Sequence, residues 1–156
     1  MREIVILSGG QTGVDRGALD AALEVGVPCQ GWCPEGRLAE DGVIDQRYPL
    51  AELPGGGYAE RTSANVRDSD GTLVLVAGEP DDGTRLTIDE ARRLEKSLLV
   101  VDIGRDDAEQ EIARIRAWIA ANGIRRLNVA GPRESNAPGS YARTKSLVTA
   151  LLRADE

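Results

Sequence analysis

What most constrains the fold of this chain is a spacing. Five short apolar runs, at residues 3–7, 27–32, 72–77, 98–103 and 127–130, recur along 156 residues with helix-like segments between most of them. Two of the runs, "TLVLVA" and "LLVVDI", are apolar at nearly every position rather than alternating. Such strands are covered on both faces, which calls for helices above and below the sheet. The intervening segments supply them. Residues 14–25 place Val14, Ala18, Ala21, Ala22 and Val25 at three- and four-residue spacing, and Gly26 and Pro28 stop the run. A second helix is predicted from "TIDE" to about residue 96, with Thr87 as cap and Glu90 reaching back in a capping box. A third runs over 106–121, with Ile112, Ile115 and Ile119 on one face and Asn122-Gly123 as its stop. A last one follows Gly139, and "RTSANVRDSDG" predicts a short helix leading into the third strand. Strands alternating with helices in this way give an α/β fold. The expected architecture is an open, mostly parallel sheet of about five or more strands with helices on both faces, in a single domain spanning 1–156.

Composition narrows the chemistry. Histidine is absent, which removes Ser-His-Asp and Cys-His nucleophile systems and every His-ligated metal site. The formal net charge of -7 argues against nucleic acid or an anionic membrane as partner, and leaves room for a small anionic ligand in a local basic pocket. No run approaches the roughly eighteen consecutive apolar residues of a membrane span, and no signal-peptide pattern opens the chain, so a cytoplasmic location is expected. Cys29 and Cys33 are the only cysteines. A C-x-x-x-C pair without histidine is a poor metal site, and small thiols are common in strands; no metal site is expected.

In an open parallel sheet, ligands collect outside the carboxyl ends of the strands. Three loops at such ends are unusual. "SGGQTGVD" follows the first strand: Gly9 and Gly10 permit close approach, Ser8 and Thr12 carry hydroxyls, and a helix begins near Val14. The loop is either an anion cradle or a tight turn. It matches neither the dinucleotide glycine fingerprint nor the P-loop with its lysine. "GEPDDGTRLTIDEA" places Gly83-Thr84 ahead of a capped helix, and "NVAGPRESNAPGS" sets Arg133, Glu134, Ser135 and Asn136 between two turns. Asp15 and Glu90 are the carboxylates nearest the glycine loops, where each could serve as base or as helix-terminal charge. Residues 33–60, with three prolines and five glycines and no period, read as an ordered lid, with Trp32 or Tyr48 as stacking surfaces.

Six segments in order, "SGGQTGVDRGALDAAL", "GWCPEGRLAEDGVI", "RYPL", "RTSANVRDSDGTLVL", "DDGTRLTIDEA" and "LNVAGPRES", resemble the family described as putative molybdenum carrier proteins, the circularly permuted YpsA branch of the SLOG superfamily. The resemblance spans nearly the whole chain. It implies a Rossmann-like domain whose strand-end loops bind a nucleotide or a nucleotide-like phosphorylated ligand, a relationship to proteins that carry molybdenum cofactor, and assembly as a dimer or tetramer. By position it places ligand contacts at Ser8, Gly9, Gly10, Gln11, Thr12, Gly13 and Asp15, at Arg61 and Asn65 with Asp68 and Asp70 following, at Gly83 and Thr84, and at Gly131, Pro132, Arg133, Glu134 and Ser135. Where the family commonly has Gly before Gly-Thr, this chain has Asp82. The superfamily also includes phosphoribohydrolases, so a nucleotide-processing hydrolase is the alternative. Their P-G-G-x-G-T-x-x-E motif has its Glu closer to Gly-Thr than Glu90 stands here, and no catalytic residue is carried over.

Overall fold

The computed structural model describes residues 3–105 and 107–153. The chain runs β1 (Val5–Leu7), α1 (Val14–Val25), β2 (Cys29–Gln30), β3 (Trp32–Pro34), β4 (Leu38–Ala39), β5 (Gly42–Val43), β6 (Ala51–Leu53), α2 (Tyr58–Asp68), β7 (Gly71–Val76), α3 (Asp82–Arg93), β8 (Ser97–Asp102), α4 (Ala108–Ala121), β9 (Arg126–Ala130) and α5 (Ser140–Arg153). Five strands form one parallel sheet in the order β2-β1-β9-β7-β8. The α/β architecture expected from the apolar spacing is therefore the one observed. β9, last in the chain, sits at the centre.

Strand periodicity sorts the side chains to two faces. Leu73 and Leu75 of β7 and Leu127 and Val129 of β9 join the main core with Ala18 of α1, Ile115 of α4 and Leu151 of α5. Val74 and Val76 turn the other way, against Ile88 of α3. α1 packs along α5 on the first face, and α2 packs on α3 on the second. Helix α1 falls on the predicted residues. The expected start of α4 at Asp106 lies outside the described residues.

Three local expectations change. The run at 27–32 is two strands: Cys29–Gln30 pair with β1, and Trp32–Pro34 pair with β6. The break is at Gly31, where the backbone crosses so close to Ser8 that a Cβ would lie 1.9 Å from the Ser8 carbonyl oxygen. Helix α3 starts five residues before Thr87, because Asp81 is the cap: its Oδ1 accepts the Thr84 N–H at 2.9 Å. Thr87 sits one turn inside, donating to the Gly83 carbonyl, and Glu90 pairs with Arg93.

The third change concerns residues 33–60. They carry the parallel β3–β6 pair, the β4–β5 hairpin and a core of their own, in which Leu19 of α1 meets Cys33, Ala39, Ile44, Tyr48 and Leu50. What orders this segment is Arg37. Its buried guanidinium donates to the carbonyls of Ile44 (3.2 Å), Leu50 (2.9 Å), Asp45 (2.9 Å) and Tyr48 (3.0 Å). Buried carbonyls need donors, and where no ladder supplies them one planar five-donor group does. Because lysine keeps the charge but not the fork, Arg37→Lys is expected to lower stability by about 3 kcal/mol in urea unfolding, with new protease cleavage between residues 38 and 48.

Candidate functional site

A cleft of about 500 Å³ opens at the carboxyl ends of β1, β9 and β7. Its position follows from the topology. The helix after β1 covers one face and the helix after β7 the other, so the loops part on either side of β9. Asn128 and Ala130 of β9 lie among the lining residues with Gly131; Gly9, Gln11 and Asp15 come from the first loop and α1, Tyr58, Arg61 and Asn65 from α2, and Gly83, Thr84 and Thr87 from α3.

One ion pair crosses the cleft wall. Arg61 Nη1 donates to Asp15 Oδ2 at 3.1 Å, and both side chains are about nine-tenths buried, at 10% and 8% exposure. Arg61 Nε also donates to the Tyr58 carbonyl, and the guanidinium lies 5.6 Å from the Tyr58 ring centroid. The first glycine of the loop makes room for this arginine: a Cβ on Gly9 would stand 1.6 Å from Arg61 Nη1. Burial pushes the Asp15 carboxyl above its ordinary range, while Arg61 and the Gln11 N–H pull against that rise.

The first turn of α3 forms another wall. The Asp81 carboxylate binds Thr84 N–H and the Asn136 amide (2.8 Å) and so ties α3 to the third loop. Thr84 is 2% exposed; its hydroxyl stands beside Asp81 but makes no hydrogen bond of ordinary geometry. Asp82 lines the cleft, yet its carboxylate is fully exposed and faces Arg85 at 3.5 Å. The N–H groups of Asp82 and Gly83, in the first turn, lack intrahelical acceptors.

The first loop behaves differently from the cradle its glycines suggest. Gly10 N–H donates to Ser8 Oγ, Gln11 N–H to Asp15 Oδ2, Thr12 N–H to Gln11 Oε1 and Val14 N–H to the Pro132 carbonyl. These donors are committed within the protein. Ser8 is fully buried, Gly10 backs onto Leu50 and Ile44, and Gly13 abuts the backbone of the third loop.

The third loop divides. Gly131 and Arg133 line the cleft, Arg133 being 44% exposed. Pro132 accepts Val14 N–H. The Glu134 carboxylate serves α5, accepting Gly139 N–H (2.7 Å), Tyr141 N–H (2.9 Å) and the Ser140 hydroxyl (3.2 Å). Those bonds, the Gly139 amide first, hold its carboxyl below the ordinary value of 4.5. Ser135 turns to Glu40.

The structure thus brings Gly9, Gln11, Asp15, Arg61, Asn65, Gly83, Thr84, Gly131 and Arg133 to one cleft, and leaves Ser8, Gly10, Thr12, Gly13, Pro132, Glu134 and Ser135 outside its lining. Asn65 is also a tie: its amide pairs with both the N–H and the carbonyl of Trp32. Asp68 accepts the Trp32 indole, and Asp70 accepts the N–H groups of Arg125 and Arg126 at the opposite end of the sheet. Neither expected stacking surface faces the cleft. Trp32 is held by Asp68, and Tyr48 is 3% exposed with its hydroxyl on Asp20. The aromatic ring at the cleft is Tyr58. Of residues 33–60, the part up to Gly57 buttresses α1 and the loops, and only Tyr58 and Ala59, in the first turn of α2, line the cleft. Cys29 and Cys33 are free thiols, the latter in the second core.

Sequence reasoning missed Asn128, whose Nδ2 donates to Thr72 Oγ1 at 3.3 Å. Its signal was a polar residue in the middle of "LNVA". Glu40 had no comparable signal.

Fold and cleft together define the class: a Rossmann-like α/β protein with a polar cleft at the carboxyl ends of parallel strands. The chain belongs to the circularly permutated YpsA SLOG family, whose model matches residues 6–152. It is similar to the crystal structure of Putative molybdenum carrier protein from Syntrophus aciditrophicus SB, with 42% identity and a TM-score of 0.92, covering 95% of this chain and 94% of that one. No curated protein matches it. No helix among the described residues is long and apolar enough to cross a membrane.

Two outcomes test this geometry. Asp15→Asn leaves the buried Arg61 charge without its partner and is expected to cost about 3 kcal/mol in denaturant unfolding. Glu134→Ala is expected to cost about 1 kcal/mol at pH 7 through the lost α5 contacts. Because the folded value of Glu134 is depressed, its contribution is full above 4.5 and disappears as pH falls through the folded value, so native and variant melting curves should converge there.

Proposed function

We propose that the protein is a small-molecule binding protein that carries a phosphorylated nucleotide-like or pterin ligand, with molybdenum cofactor as a candidate cargo, in the strand-end cleft. The observation that carries this reading is the first turn of α3 at the cleft wall, where the N–H groups of Asp82 and Gly83 lack intrahelical acceptors and the buried Thr84 hydroxyl, beside the Asp81 carboxylate, makes no hydrogen bond of ordinary geometry. Open first-turn amides with a hydroxyl beside them are donors that a phosphate oxygen can accept. Arg133, and Arg61 beyond it, supply positive charge, and Tyr58 supplies an aromatic surface for a base or pterin. A volume near 500 Å³ is of the size that small-molecule sites have. The name of the similar Syntrophus aciditrophicus protein supports molybdenum as part of the cargo.

In this reading phosphate sits on Gly83 and Thr84 rather than on the first loop, whose committed residues fix the cleft's shape. Hydrolysis is less well supported. Asp15 is tied to Arg61, Asp81 caps α3 and Glu90 pairs with Arg93, so each of these carboxylates already has a partner. The proposal includes a cytoplasmic location and a dimer or tetramer, which native mass spectrometry would report along with any retained ligand.

Calorimetric titration with nucleoside mono- and diphosphates, molybdate and molybdenum cofactor should give binding to at least one phosphorylated compound. Thr84→Val and Arg133→Ala should each weaken it about ten-fold or more, since a charge-assisted bond contributes about 1.5–3 kcal/mol. No binding across the panel overturns the reading.

A further inference from the structure

The β4–β5 hairpin turns at Glu40 and Asp41, and its tip reaches two of the strand-end loops. Glu40 Oε2 accepts the Ser135 hydroxyl at 2.6 Å, and Oε1 accepts Ser135 N–H at 3.2 Å and the hydroxyl of Thr12. Arg133 Nη1 stands 3.8 Å from Oε2. One amide, two hydroxyls and a guanidinium around a single point are the donors with which proteins hold a free oxyanion. Here a side chain of the protein fills that point. The carboxylate arrives from a separate element: Gln11 Oε1 accepts Glu40 N–H at 2.9 Å, while Asp41 binds Arg16 through two bonds of 2.8 and 3.2 Å. The Ser135 and Thr12 bonds hold the Glu40 carboxyl below its ordinary range, so it is ionised near neutral pH.

Arg133 belongs to both places. It lines the cleft and it faces Glu40. An anionic ligand group at that side of the cleft therefore meets a cation already opposed by a carboxylate, in a chain whose net charge is -7. Coulomb repulsion from Glu40 acts against its approach over the few ångströms separating the two.

We propose that Thr12, Arg133 and Ser135 form an oxyanion subsite which Glu40 occupies as an internal ligand, and that a phosphate or carboxylate group entering from the cleft competes with Glu40 for it. The ligand side of this competition rests on the cleft reading above. The subsite itself does not, since its donors are defined by Glu40 alone.

Glu40→Ala removes the occupant and leaves the donors. With inorganic phosphate as probe and chloride at equal ionic strength as control, the variant's melting temperature should rise by several degrees at millimolar phosphate, with the Ser135 amide regaining protection from hydrogen exchange. The native chain should need at least ten-fold more phosphate for the same shift. Equal responses of the two chains, or a Ser135 amide that phosphate leaves unprotected, overturn the proposal. If Glu40→Ala does not fold, Glu40→Gln keeps the shape and one acceptor oxygen while removing the charge. It should bind pyrophosphate several-fold more tightly than the native chain and leave adenosine binding unchanged. Equal or weaker pyrophosphate binding overturns the proposal, because a purely structural Glu40 would show that result. Phosphate rescue together with a silent nucleotide and cofactor panel would remove the cleft reading and leave the subsite standing.

Discussion

The Arg37 guanidinium among four carbonyl oxygens is the interaction on which the site's surroundings depend. A segment rich in proline and glycine has few ladder bonds of its own, and burying its carbonyls unpaired would be prohibitive. Arg37 reaches four of them from one point, adding to the Tyr48 and Leu50 N–H groups that the Asp45 and Tyr48 carbonyls accept. The second core then closes over Leu19 of α1, and the hairpin projects Glu40 onto the first and third loops and Asp41 onto Arg16 of α1. The loops at the cleft are thus supported by side chains from three parts of the chain. Their conformations are properties of the assembled fold, not of the loops alone.

The same dependence explains why the first loop is a scaffold. Its glycines admit close neighbours: Arg61 lies against Gly9, and the third-loop backbone against Gly13. Its donors turn inward to Ser8, Asp15 and Pro132. The result is a rigid edge to the cleft, set by packing and by the buried Asp15–Arg61 pair. A buried pair of this kind contributes little net stability, yet removal of either member is costly, so its main effect is to fix geometry.

Much of this architecture was legible in the sequence because burial on both faces leaves a continuous apolar run and burial on one helix face leaves a three-to-four period. β7, β8, β9 and α1 follow directly. The motifs also marked the loops that surround the cleft. What was not legible depends on contacts across the fold. The break at Gly31 is imposed by Ser8, twenty-three positions away in a different strand-end loop. The start of α3 lies at Asp82 instead of Thr87 because the bond from Thr84 N–H to Asp81 makes Asp81 the cap, a contact the Thr87 pattern does not reveal. Trp32 and Tyr48 look like stacking surfaces until Asp68 and Asp20 claim their polar ends. Glu40 shows no period, cap pattern or spacing, and its partners lie 28 and 95 residues away.

Charge matching carries a consequence for function. Both arginines at the cleft already face carboxylates, Arg61 with Asp15 and Arg133 with Glu40. In the proposed reading, an anion arriving at Arg133 would exchange partners with Glu40 instead of neutralising a bare cation, while the buried Asp15–Arg61 pair stays in place. The free energy of capture would then be reduced by the contact with Glu40 that Arg133 gives up, a small term for a half-exposed pair at 3.8 Å. A catalytic site gains from donors that await only the transition state. A carrier, as proposed for this chain, would gain from donors that return to a partner of their own when the cargo leaves, and Glu40 stands beside Arg133 as such a partner.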